Sequence, residues 1–144
     1  MDKVIVIPAR YKSSRFPGKP LVPILGKPMI LRVAELCSEA VKKESVYIAT
    51  EDTRIRDVVE NEGFNVIMTT EKPLTGTDRI AEVTHQLDAE IYVNVQGDEP
   101  LIEPSDILKV IELKERYYDS IAMGYCKMGE DEDVASVNIP KVIF

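Results

Sequence analysis

Four cations, Arg10, Lys12, Arg15 and Lys19, stand within ten positions of one another, interleaved with Ser13, Ser14, Pro17, Gly18 and Pro20. Glycine lets backbone N–H groups approach an anion, and arginine and lysine neutralise it. Charge-assisted hydrogen bonds of this kind contribute roughly 1.5–3 kcal/mol each, so a few of them hold a polyphosphate. The segment is not a Walker loop, because GxxxxGK[ST] is absent, and it is not a dinucleotide fingerprint, because GxGxxG is absent. The alternative is a long crossover loop stiffened by Pro17 and Pro20. The density of cations around one glycine favours anion binding.

Two further segments carry candidate chemistry. In Val95-Gln-Gly-Asp-Glu-Pro100, two adjacent carboxylates follow an apolar run. Mg²⁺ is commonly held by one or two carboxylates together with substrate phosphates. Asp98 is the better ligand because it leaves the apolar run first, and Gln96 can hydrogen-bond a base or a sugar. Taken alone, this segment also reads as an ordinary turn with Pro100 as its stop. In Leu74-Thr-Gly-Thr-Asp-Arg79, Gly-Thr is a helix-start signal. The same residues could read a pyrimidine edge through Arg79 with Thr75 or Thr77. The lone histidine, His85, is read as a surface residue, which excludes a multi-histidine metal site.

The elements that must position these residues alternate along the chain. Lys3–Pro8 is a β-branched run read as a buried strand. A helix begins at Pro28, with Met29, Val33, Leu36 and Ala40 on its inner face. Strands are expected at residues 45–50, 65–68, 90–96 and 120–126, with a sixth beginning at 141. Helices are expected at about 52–63, at 76–87, and from Pro104, where Ile107, Leu108, Ile111 and Leu113 point inward. Alternation of this kind predicts an α/β fold: a Rossmann-like, doubly wound, mostly parallel sheet with helices on both faces. Ligands on such sheets bind outside the carboxyl ends of the strands. Residues 9–20 follow the first strand and residues 97–100 follow the fourth, so both are expected on one rim.

The bulk properties agree with one soluble domain. The 144 residues are 44% hydrophobic and 30% charged, with a net charge of −7. The acidic balance argues against nucleic acid as a partner. The charge is uneven: residues 1–34 carry seven basic side chains against one acid, a local +6, and the remainder carries eleven basic and twenty-four acidic groups. Cys37 and Cys126 form no disulfide framework and no metal spacing. No apolar run is long enough to cross a membrane, and a cytoplasmic location is expected.

Taken together and in this order, IPARYKSSRFPGKPL, GKPMI, GTDR and VNVQGDEP resemble 3-deoxy-manno-octulosonate (KDO) cytidylyltransferases, the CMP-KDO synthetases. The resemblance runs from Lys3 to about Pro104, with a weaker echo at residues 137–144. Tyr11-Lys12-Ser13-Ser14 sets it apart from sialate cytidylyltransferases, which typically read Ala-Arg-Gly-Gly-Ser here. The resemblance implies transfer of CMP from CTP to the acidic sugar KDO, with pyrophosphate leaving, for lipopolysaccharide or capsule synthesis. It implies that Arg10, Arg15 and Lys19 hold the CTP phosphates with help from Ser13. Thr77 and Arg79 would then lie near cytosine, Gln96 would contact nucleotide or sugar, and Asp98 would bind Mg²⁺. Lys19, Asp98 and Arg10 are the expected catalytic groups. Family members continue beyond this length with a second metal aspartate, most sugar contacts and a homodimer arm. Residues 1–144 are therefore expected to be one CTP-binding nucleotidyltransferase domain, incomplete at its C-terminus. Two alternatives stand beside the KDO reading: a non-catalytic CTP-binding remnant, and a cytidylyltransferase for a sialate or 8-amino-KDO sugar.

Overall fold

The computed structural model describes residues 2–13, 16–133 and 135–137. Chain order is β1 (Lys3–Pro8), a 3-10 turn (Lys19–Leu21), β2 (Pro23–Ile24), β3 (Lys27–Pro28), α1 (Met29–Ala40), β4 (Val46–Thr50), α2 (Thr53–Asn61), β5 (Asn65–Met68), α3 (Gly76–Val83), β6 (Ile91–Asn94) and α4 (Pro104–Arg116). The four longer strands form one parallel sheet in the order β5-β4-β1-β6, with β1 at its centre.

The side-chain alternation of β1 explains the two layers. Ile5 and Ile7 project to one face, where they join Ile30, Val33 and Cys37 of α1, Ile55 and Val59 of α2, and Ile107 and Ile111 of α4. Val4 and Val6 project to the other face, against Ile80 and Val83 of α3. Period-two alternation in a strand that is apolar throughout is what a sheet covered on both faces requires. Burying one such side chain completely contributes about 1.5–3 kcal/mol. The doubly wound expectation therefore holds.

The chain steps outward from β1 through β4 to β5, then returns to place β6 on the opposite side of β1. This reversal is the topological switch point. The β1 and β6 ladder continues to the Val95 N–H, which donates to the Val6 carbonyl at 3.2 Å, and then the two chains part. The crevice that opens lies outside the carboxyl ends of both strands, where ligands of such sheets bind.

Several local expectations are revised. The two-residue strands β2 and β3 form a hairpin that carries no alternation signal, since Pro23 pairs with Pro28. Pro28 therefore stands just before α1 rather than inside it. The inner stripe of α1 is Ile30, Val33, Ala34 and Cys37, while Leu36 and Ala40 lie at its margin. The helix expected at 76–87 ends at Val83, and a tight turn through 84–86 replaces its last turn; exposed His85 sits in that turn. The fourth expected strand is shorter than 90–96. On α4, Leu108 and Leu113 are partly exposed, at 41% and 43%, and only Ile107 and Ile111 are buried. The strand expected at 120–126 does not form. A strand needs a hydrogen-bonding neighbour, and this stretch makes no ladder with β6. Its apolar residues Ile121, Met123 and Tyr125 stay exposed. The expected strand from 141 lies outside the described residues.

Candidate active site at the switch point

The segment after β1 is a built loop. Phe16-Pro17-Gly18-Lys19 is a type II turn: the Lys19 N–H donates to the Phe16 carbonyl at 3.3 Å, and Gly18 takes φ 73°. Proline suits the second position of such a turn, and glycine alone takes the third without strain. The Gly18 N–H donates to the Tyr11 carbonyl at 2.9 Å and closes the loop on itself. Lys19 then opens the 3-10 turn and points back across the crevice.

The segment after β6 turns just as tightly, with the Glu99 N–H donating to the Gln96 carbonyl at 3.2 Å. Gly97 passes against β1; a Cβ there would stand 2.9 Å from the Pro8 carbonyl oxygen. This close approach of two backbones carries Asp98 to the rim facing the loop. Lys19 Nζ lies 2.7 Å from Asp98 Oδ2, with both side chains about half exposed (45% and 50%). The cationic loop and the acidic turn thus meet on one rim, 79 positions apart in sequence.

Between them lies a cleft of about 520 Å³. Arg10, Ser13, Lys19, Arg79, Gln96 and Asp98 all line it, together with Phe16, Met29, Pro73, Leu74, Thr75 and Gly76. Thr77 is exposed on α3 and is not among the lining residues. Arg15 lies outside the described residues. The other residues expected at the site are brought together.

The far wall is the start of α3. Thr75 accepts from the Asp78 N–H at 3.1 Å, and Asp78 Oδ2 accepts from the Thr75 N–H at 3.0 Å, a complete capping box. The capping reading of GTDR and its cleft-lining position are therefore both met by one segment. Arg10 Nη1 reaches the Leu74 carbonyl at 3.5 Å, and Lys12 pairs with Glu71 at 2.8 Å, so the loop touches this wall as well. The Glu71 carboxylate beside it raises the Lys12 pKa.

The positive charge of the first 34 residues divides between site and scaffold. Lys3 pairs with Glu115, Lys27 with Glu35, and Arg32 donates to the Ile24 and Leu25 carbonyls of the β2–β3 hairpin. Of the others described, Arg10 and Lys19 line the cleft, and Lys12 pairs with Glu71. Asp98 is a single carboxylate lining the cleft, the kind of donor that Mg²⁺ takes together with substrate phosphates. Among the described residues no group of three His, Cys, Asp or Glu side chains forms a protein-only metal cage. No helix among them is long and apolar enough to cross a membrane.

Glu51 escaped the sequence reading. It follows β4, on the same rim, and its side chain is 7% exposed against Arg79 at 4%. Its position just beyond the carboxyl end of a central strand was the available signal.

Known proteins resemble this chain in sequence and in architecture. An enzyme of Shewanella sp. (strain ANA-3), named 8-amino-3,8-dideoxy-manno-octulosonate cytidylyltransferase, is 47% identical over 87% of the chain and 54% of its own length. A namesake from Shewanella piezotolerans is 43% identical over the whole chain and 61% of its own length. The chain therefore spans little more than half the length of these relatives. The structure of a CMP:2-keto-3-deoxy-manno-octonic acid synthetase complexed with CTP superposes with a TM-score of 0.74 at 45% identity, over 81% of this chain and 48% of that one. A cytidylyltransferase of Leptospira borgpetersenii, at 24% identity and a TM-score of 0.70, shares the fold. The cytidylyltransferase family model matches residues 4–144, and the chain belongs to the cytidylyltransferase family.

Proposed function

We propose that this chain carries the nucleotide site of a cytosolic enzyme that transfers CMP from CTP to a KDO-type acidic sugar and releases pyrophosphate. The observation that carries the reading is the meeting of Lys19 and Asp98 at 2.7 Å across the switch-point cleft. A cation-rich loop and a carboxylate in contact are the two halves of a grip on a metal-bound triphosphate.

In this reading Arg10, Lys19 and Ser13, with Arg15, bind the phosphates, and Lys19 exchanges Asp98 for a phosphate oxygen as the nucleotide arrives. The wall at residues 73–79 faces the base, and Gln96 contacts nucleotide or sugar. Asp98 would hold Mg²⁺, which when bound supplies charge neutralisation and activation of the attacking oxygen. The anomeric hydroxyl of the sugar attacks the α-phosphorus in line. Its oxygen forms a bond to the α-phosphorus as its proton passes to solvent, and the bond from the α-phosphorus to the α–β bridging oxygen breaks, so that pyrophosphate carries away the electron pair. The chain's residues act by alignment and by neutralising developing charge. The 8-amino-KDO relatives and the KDO-type structural neighbour support a sugar of this class.

The test is calorimetric titration with CTP, UTP, GTP and ATP in Mg²⁺, followed by pyrophosphate release with KDO and with 8-amino-KDO. CTP is expected to bind best, and a purine preference sinks the reading. A second reading is a CTP-binding module with poor or absent turnover. Asp98→Asn separates the two. It abolishes turnover in an enzyme and alters only metal-dependent affinity in a module.

A further inference from the structure

In the loop that bears Arg10 and Lys19, Tyr11 is tied to the scaffold through both its backbone and its ring. The Tyr11 N–H donates to Glu51 Oε1 at 3.1 Å, and its carbonyl accepts from Gly18. Its ring lies under the Arg54 guanidinium at 3.3 Å, and Arg54 is itself held by both oxygens of Asp52. Gly18 packs on the same ring, where a Cβ would come within 3.1 Å. Arg10 precedes this anchor by one residue, and Lys19 follows the Gly18 closure by one.

Beneath the anchor lies a buried charge pair. Glu51 Oε2 is 2.8 Å from Arg79 Nη2, and no aligned hydrogen bond reaches that oxygen among the described residues. The contact is one of charge. The other terminal nitrogen of Arg79 donates to Thr69 Oγ1 and to the Thr70 carbonyl. Arg79 lines the cleft, yet its guanidinium is committed to protein groups. Removing one partner of such a pair leaves the other buried and uncompensated.

We propose that Glu51 is a positioning residue of the nucleotide site, its carboxylate tying the backbone of the phosphate-binding loop at Tyr11 to Arg79 in the cleft floor. This deepens the CTP reading above and rests on it. One oxygen fixes the loop and the other fixes the floor, so the register of Arg10 and Lys19 against the 73–79 wall is set by one side chain. A purely structural pair would stabilise the fold without governing the loop.

The experiment compares two double variants, Glu51→Met with Arg79→Met and Glu51→Gln with Arg79→Met. Both remove the buried charges, and only glutamine keeps an acceptor for the Tyr11 N–H. Mg²⁺·CTP affinity is measured by titration, and loop order by the rate of tryptic cleavage after Lys12 under native conditions. The methionine pair is expected to lose about tenfold in CTP affinity relative to the glutamine pair and to be cut several-fold faster, at similar melting temperature. Equal affinity and equal cleavage in the two overturn the proposal and leave Glu51 a structural residue. Should either double variant fail to fold, single Glu51→Gln and Glu51→Met carry the same comparison. Absence of CTP binding in the unmutated chain counts against the CTP reading instead, and the cleavage rates then decide the tie alone.

Discussion

Lys19 and Asp98 exchange partners in the proposed cycle, and that exchange makes a prediction about size. Their contact is half exposed, and exposed ion pairs contribute only about 0–1 kcal/mol to stability. Lys19→Met should therefore leave the melting temperature nearly unchanged. A charge-assisted bond to phosphate contributes roughly 1.5–3 kcal/mol, so the same variant should weaken CTP binding by about 10- to 100-fold. Calorimetry and a thermal melt on one sample check both. A large fall in stability with unchanged affinity would place Lys19 in the scaffold. At this scale the sequence was readable for charged groups in unusual density, as in Arg10 to Lys19. It was not readable for Glu51, one carboxylate among many in an acidic chain. Its importance comes from burial beside Arg79 and from its grip on Tyr11.

Among the elements, the contact between β1 and the turn after β6 decides where Asp98 stands. A methyl group at residue 97 would meet a backbone carbonyl at 2.9 Å, and a carbonyl inside a sheet has no rotamer to change. Gly97→Ala should cost about 1–3 kcal/mol and lower the melting temperature by several degrees. The capping box of α3 makes a milder prediction. Thr75→Ala removes the acceptor for the Asp78 N–H and should cost about 1 kcal/mol in urea denaturation, with the cleft wall frayed. Element type was legible for most of the strongly patterned segments. β1 and β5 fall on their expected residues because β-branched runs have few other uses. The β2–β3 hairpin was not legible, since two prolines and two-residue strands carry no period. The unformed strand at 120–126 shows the converse: Ile121, Met123 and Tyr125 alternate correctly, but alternation supplies no neighbour.

The whole molecule rests on one sheet covered on both faces, and Cys37 reports on it. The thiol is fully buried against that sheet, and burial pushes its pKa up from 9.0 to about 12. In the unfolded chain it ionises near 9. Between these values the native state binds more protons than the unfolded state, so stability falls as pH rises from about 9. Cys37→Ala should flatten that alkaline decline in denaturation curves taken from pH 8 to 11. An unchanged slope would assign the decline to other groups. Exposed Cys126 should react with a thiol reagent at once, and Cys37 only on unfolding.

By themselves, the residues in order determined the class of fold, the two chemically distinctive segments and the kind of ligand they suit. Period, turn chemistry and charge density are local properties, written within a dozen neighbouring positions. The tertiary structure alone decided that Lys19 touches Asp98 across 79 positions, and that Arg79 faces Glu51 beneath the cleft. It decided too that Lys3, Lys27 and Arg32 serve the scaffold. Pairing and burial depend on which strands become neighbours. That is settled by packing two apolar faces of one sheet at once, and no short window of sequence contains it.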